Sequence, residues 1–135
     1  MEVSVFTDGG ARGNPGPAAI GVVIKNNKHE IIHKIGKYIG MATNNDAEYA
    51  ALTEGLVFLT EQKYSQVKCY LDSELVVKQL NGLYKVKNQG IKKHWNKIKA
   101  MEKNFSHITY HHVKRGRNKE ADELVNQVLD SAPIK

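Results

Sequence analysis

The hydrophobic pattern changes period along the chain, and the changes mark its elements. A short period-two apolar run, Val3 to Phe6, leads into Thr7-Asp8 and then into the Gly-, Asn- and Pro-rich stretch Gly9 to Pro17. That predicts a strand entering a turn, with Asp8 at the carboxyl end of the strand. Ala18 to about Lys25 reads as a second strand, and Asn26 to His29 as hairpin turn material. Glu30 to Ile39 reads as a third strand, so the first forty residues suggest an antiparallel meander. Leu52, Leu56 and Leu59 then follow the i, i+4, i+7 spacing of a buried helical stripe, in a helix reaching about Gln62. Asn45, with Glu48 three positions later, is the expected capping pair. Val67 to Leu71 predicts a strand ending in Asp72, and Ser73 opens a helix to about Leu80 with Leu75, Val76 and Leu80 as its apolar positions. Asn81-Gly82 is its stop signal. A second, basic helix spans about Gly90 to Asn104, carrying Trp95, Ile98 and Met101 among lysines. Ile108 to Val113 is a fifth strand. Asn118 is expected to cap a last helix to about Leu129, striped by Ala121, Leu124, Val125 and Val128. The order βββαβααβα makes an α/β domain with a mixed sheet.

Length and charge narrow this picture. One domain is expected over residues 1–131, with a short tail at 132–135 and enough chain to bury a core without staples. Cys69 is the only cysteine, which excludes an intrachain disulfide and any cysteine-based metal cluster. The net charge of +6 favours a polyanionic partner. No apolar run approaches the roughly 20 residues that span a bilayer. A strand-like segment begins at once after Met1, with no signal-peptide core and no apparent upstream domain. The expectation is a cytoplasmic, soluble, standalone monomer that does not engage membranes.

Four acids change the picture again. Asp8 and Asp72 end strands. Glu48 lies one turn before Leu52 on the buried stripe, and Asp122 sits in the first turn of the last helix. An acid on a buried face is costly unless something neutralises it. If the strands of Asp8 and Asp72 are parallel neighbours, all four acids can reach one rim of the sheet. There they would repel unless cations joined them, and an all-oxygen donor set points to Mg²⁺ or Mn²⁺ rather than Zn²⁺. Two such ions about 4 Å apart suit phosphodiester hydrolysis. Read locally, the same acids are two strand-end caps and two helix-dipole acids.

The segments FTDGGARGNPGPAAIG, ATNNDAEYAAL, CYLDSELVVKQL and NKEADELVNQ resemble ribonuclease H, type 1, in order and spacing, over nearly the whole chain. The resemblance implies a ribonuclease H-like fold, a five-stranded mixed sheet of order 3-2-1-4-5 with helices packed on it. It implies endonucleolytic hydrolysis of the RNA strand of an RNA–DNA hybrid by two Mg²⁺ ions, leaving 5′-phosphate and 3′-hydroxyl ends; Mn²⁺ is an alternative metal. Asp8, Glu48, Asp72 and Asp122 match its metal-binding acids. Asn14, Thr43, Asn44 and Asn45 match positions that contact the hybrid.

Two departures stand out. The stretch from Asn81 to Gly90 is too short for the basic protrusion of better-known bacterial members, and the basic helix with Trp95 is a candidate substitute. The loop Lys114 to Asn118 lacks the family's histidine, and Arg115, with Arg117 second, is the residue expected to take its place electrostatically. His111 and His112 are read as structural. Three rivals remain: a nuclease of the same fold with another substrate, activity on double-stranded RNA, and a non-catalytic nucleic-acid-binding module.

Overall fold

The computed structural model describes residues 2–132; Met1 and residues 133–135, most of the expected tail, lie outside the described residues. Its elements are β1 (Glu2–Ala11), β2 (Gly16–Lys25), β3 (Ile31–Ala42), α1 (Asn44–Glu61), β4 (Gln66–Leu71), α2 (Glu74–Leu80), α3 (Gln89–Met101), β5 (His107–His112) and α4 (Lys119–Ser131). They build one five-stranded sheet of order β3-β2-β1-β4-β5. β1, β2 and β3 pair antiparallel, and β4 runs parallel to both β1 and β5. The expected sheet order and mixed character are therefore met.

Alternation along the strands divides the core between two faces. Val3, Val5, Val22, Ile24, Val67, Cys69 and Leu71 join Leu52, Leu56 and Leu59 of α1 in the main cluster. Ala19 packs with Val125 and Leu129 of α4 in a smaller one. At about 25 cal/mol per Å² of apolar surface, these clusters are the main stabilising term of the fold.

Several local expectations are corrected. β1 does not stop at Asp8. Its parallel pairing with β4 ends at Thr7↔Leu71, but antiparallel pairing with β2 carries it to Ala11. Asp8 is thus at the strand's carboxyl rim only as β4 sees it. The cap of α1 is Thr43, whose hydroxyl accepts from the Asp46 amide at 3.1 Å, while the Asp46 carboxylate accepts from the Thr43 amide. Asn45 and Glu48 are not that pair, because Glu48 is turned inward. In α2 the inward residues are Val76, Val77 and Leu80, and Leu75 is exposed. α3 ends at Met101 and tightens into a 3₁₀ turn, Glu102–Asn104. Asn118 precedes α4 but makes no side-chain cap.

Trp95 is half-buried against the main core, and its Nε1 donates to the Gln79 carbonyl at 3.1 Å. Lys92 Nζ stands 4.6 Å from its ring centroid. Of the basic residues on α3, Lys99 is engaged internally, donating to Leu80 O and Glu102 Oε2. Among the described residues no helix is long and apolar enough to cross a membrane.

Candidate active site

The acids meet because two helices come unusually close to the sheet. A β-carbon on Gly9 would lie 2.2 Å from the Ala47 carbonyl of α1, and one on Gly21 would lie 2.3 Å from the Ala121 carbonyl of α4. Only glycine permits either approach. The first places Glu48 over β1, where the Gly9 amide donates to Glu48 Oε1 at 3.1 Å. The second sets the first turn of α4, with Asp122, above Asp8, whose strand partner is Gly21. Asp72 follows the last residue of β4, next to β1.

One ligand oxygen from each of Asp8, Glu48 and Asp72 lies within 4.8 Å of the others. Asp122 joins them in lining a cleft of about 410 Å³, together with Arg115, Asn44 and Asn45. Asp8 and Glu48 are 5% and 8% exposed. Burial, then the charges of Asp72 and Asp122, push the Asp8 carboxyl up to about 7. Glu48 is raised well above its ordinary value of 4.5 by burial and by Asp8 and Asp72, with the Gly9 amide opposing. Asp72 is raised by burial, and Arg115 draws it back. These acids cannot all ionise together without a cation.

The donor set fits a hard divalent ion. Glu48 Oε2 and Asp72 Oδ2 are buried with no hydrogen-bond partner. Buried carboxylate oxygens rarely stay without a hydrogen bond, and here both belong to the three-acid cluster. All the donors are carboxylates, which suits Mg²⁺ or Mn²⁺.

The remaining candidates surround this cleft. Asn44 Oδ1 accepts from the Ala11 amide at 2.9 Å, and the Asn44 amide donates to Asn14 Oδ1 at 3.0 Å. Asn14 and Thr43 line a second cleft of about 490 Å³, which meets the first at Asn44 and Asn45. The Thr43 hydroxyl is engaged in the α1 cap, donating to Asp46 Oδ2 at 2.9 Å. Arg115 opens a 3₁₀ turn, Arg115–Arg117, and faces the acids; Arg117 lines a separate depression beside Phe6 and Tyr70. His111 stacks on Tyr70, and neither it nor His112 lines the acid cleft. The sequence reading missed Gly9 and Gly21 as contact points, and it read Asn118 as a cap only.

Comparison with known proteins gives the family. Residues 6–128 match a family model described as reverse transcriptase-like. A ribonuclease H of Erythrobacter litoralis is 34% identical over 148 aligned residues, covering 96% of this chain and 96% of the relative. The chain belongs to the ribonuclease H family. Within it, the chain is also similar to LC11-RNase H1, solved in complex with an RNA/DNA hybrid, at 42% identity and a TM-score of 0.91 over 95% of this chain and 96% of the other. A bifunctional protein of Mycobacterium tuberculosis is 40% identical over 133 residues, 98% of this chain. The chain spans 36% of the length of that protein.

Proposed function

We propose that the chain is an endonuclease domain that hydrolyses the RNA strand of RNA–DNA hybrids, leaving 5′-phosphate and 3′-hydroxyl ends. The observation that carries this reading is the cluster of Asp8, Glu48 and Asp72, in which two buried carboxylate oxygens have no hydrogen-bond partner. Asp8, Glu48, Asp72 and Asp122 would hold two Mg²⁺ ions, or Mn²⁺. When bound, such ions acidify water and neutralise charge on a phosphate.

The other residues bind and orient. Asn44 and Asn45 line the acid cleft, and Asn14 and Thr43 the cleft adjoining it, with short polar groups suited to 2′-hydroxyl and phosphate contacts, which distinguish RNA from DNA. Arg115, always charged, stabilises negative charge developing on the phosphate or leaving oxygen; it cannot serve as a base near neutral pH. It takes the place of the loop histidine of other members. With only eight residues, 81–88, between α2 and α3, the basic protrusion is lacking. Lys92, Lys93 and Lys97 on α3 supply phosphate contacts instead.

The test is cleavage of an end-labelled hybrid, double-stranded RNA, DNA duplex and single strands, each with Mg²⁺, Mn²⁺ or a chelator. Internal cuts in the RNA of the hybrid, lost with chelator, are expected. Binding without cutting in either metal would instead identify a non-catalytic module.

A further inference from the structure

Asn118 is 1% exposed and lies outside the acid cleft, yet its bonds reach the strand that carries Asp8, the helix that carries Asp122 and the turn that carries Arg115. Its Nδ2 donates to the Thr7 carbonyl at 2.8 Å, directly before Asp8 on β1. Its backbone carbonyl accepts from the Asp122 amide at 3.1 Å, and its own amide donates to the Arg115 carbonyl at 2.9 Å.

The orientation of that amide is fixed by its surroundings. Oδ1 is buried and has no partner, so flipping the group would set two oxygens against each other at Thr7 and gain nothing. An asparagine before a helix normally spends its side-chain oxygen on the helix's first amides. Here that oxygen is left unpaired, and the nitrogen bonds a strand 111 residues away. A local cap has been given up for a long-range tie, at the cost of an unsatisfied acceptor.

We infer that Asn118 is a positioning residue for cation binding, a clamp that holds Asp8 and Asp122 in register across β1 and α4. It touches no substrate. Its effect passes through the carboxylates, as groups behind metal ligands generally act, and losing such a group typically weakens metal affinity about 10–100-fold. The inference rests on the hydrolase reading for its meaning, but its main readout needs no substrate.

The experiment compares Asn118→Ala and Asn118→Ser with wild type and with Asn81→Ala. Asn81 Nδ2 donates to the Tyr110 carbonyl at 3.2 Å, a chemically matched bond remote from the acids. Mn²⁺ binding is followed by calorimetry, thermal midpoint by circular dichroism, and hybrid cleavage at limiting and saturating Mg²⁺. Both Asn118 variants are expected to bind Mn²⁺ about 10–100-fold more weakly. Their kcat should fall at limiting Mg²⁺ and recover as Mg²⁺ is raised, with KM for hybrid unchanged. Asn81→Ala should lower the thermal midpoint and leave Mn²⁺ binding as in wild type. Should Asn118→Ala not fold, the serine variant, which keeps a polar group in the pocket, decides. Unchanged Mn²⁺ affinity with only a lowered midpoint would overturn the inference and leave Asn118 a support of the fold. A wild-type protein that bound Mn²⁺ but cut no hybrid would defeat the substrate reading and leave the clamp standing.

Discussion

Arg115 Nε lies 3.9 Å from Asp72 Oδ2, joining a side chain that is 80% exposed to one that is 6% exposed. The pair spans the boundary between solvent and the buried acids. With its cation so exposed and 3.9 Å away, the pair adds little to stability. The guanidinium is, however, the cation among the described residues nearest to Asp72, and it is free to swing toward a phosphate.

Replacing Arg115 by Ala should therefore slow turnover without abolishing it, by roughly tenfold, or about 1.4 kcal/mol of transition-state stabilisation. The thermal midpoint should hardly move. Arg117→Ala should leave turnover unchanged, because Arg117 faces another depression. Single-turnover kinetics on a labelled hybrid separates these outcomes; equal effects from both variants would remove Arg115's special role.

Asp8→Asn keeps the shape of the side chain and removes one charge from a crowded set. Cleavage should be lost in both Mg²⁺ and Mn²⁺, while the circular dichroism spectrum stays that of wild type. Without metal, this variant should also melt at a higher temperature than wild type above neutral pH, because repulsion from Asp72 is relieved. Full cleavage by Asp8→Asn would discard the metal assignment.

Metal-free protein should lose stability as pH rises. The folded Asp8 keeps its proton up to about 7, whereas its ordinary value is 3.8. Between those limits the folded state binds more protons than the unfolded state, so raising pH favours unfolding. The raised Glu48 and Asp72 act in the same direction. Thermal melts in chelator should fall in midpoint from about pH 4 to about pH 7, and Mg²⁺ should raise the midpoint more at the upper end. A midpoint that climbs across this window would contradict the burial of these acids.

Gly21→Ala should be costly. Its new carbon would meet the Ala121 carbonyl at 2.3 Å, and backbone cannot yield as a flexible side chain does. A loss of about 1–3 kcal/mol is expected in urea titration, together with weaker Mn²⁺ binding as α4 is pushed off the sheet. Gly116→Ala, with nothing within 4 Å of the added carbon, should stay within about 0.5 kcal/mol of wild type.

The acids were legible in the sequence because each marks an interruption of a pattern. Asp8 and Asp72 follow apolar strand runs, and Glu48 intrudes on the stripe of Leu52, Leu56 and Leu59. What the pattern could not supply was set by partners distant in sequence. β1 continues to Ala11 because β2 is there to pair with it. Periodicity places a helix start near Thr43 but does not say which polar residue turns its side chain to the amides. In α2, Leu75 and Val77 compete for the inward position, and packing against the sheet chooses Val77. Asn118 reads as a cap by every local rule; only the fold shows Thr7 beside it.

Gly9 and Gly21 sit on neighbouring strands, and alternation turns them to opposite sides of the sheet. α1 and α4 thus rest on bare backbone from the two sides, directly where their acids must meet. The spacing of Glu48 and Asp122 about β1 is set by the thickness of a peptide plane, not by the volume of any side chain. Substitutions that refill the hydrophobic layers farther along these helices can change how tightly the molecule holds together without altering the gauge across which these acids face one another. Catalytic geometry and core composition are free to drift apart.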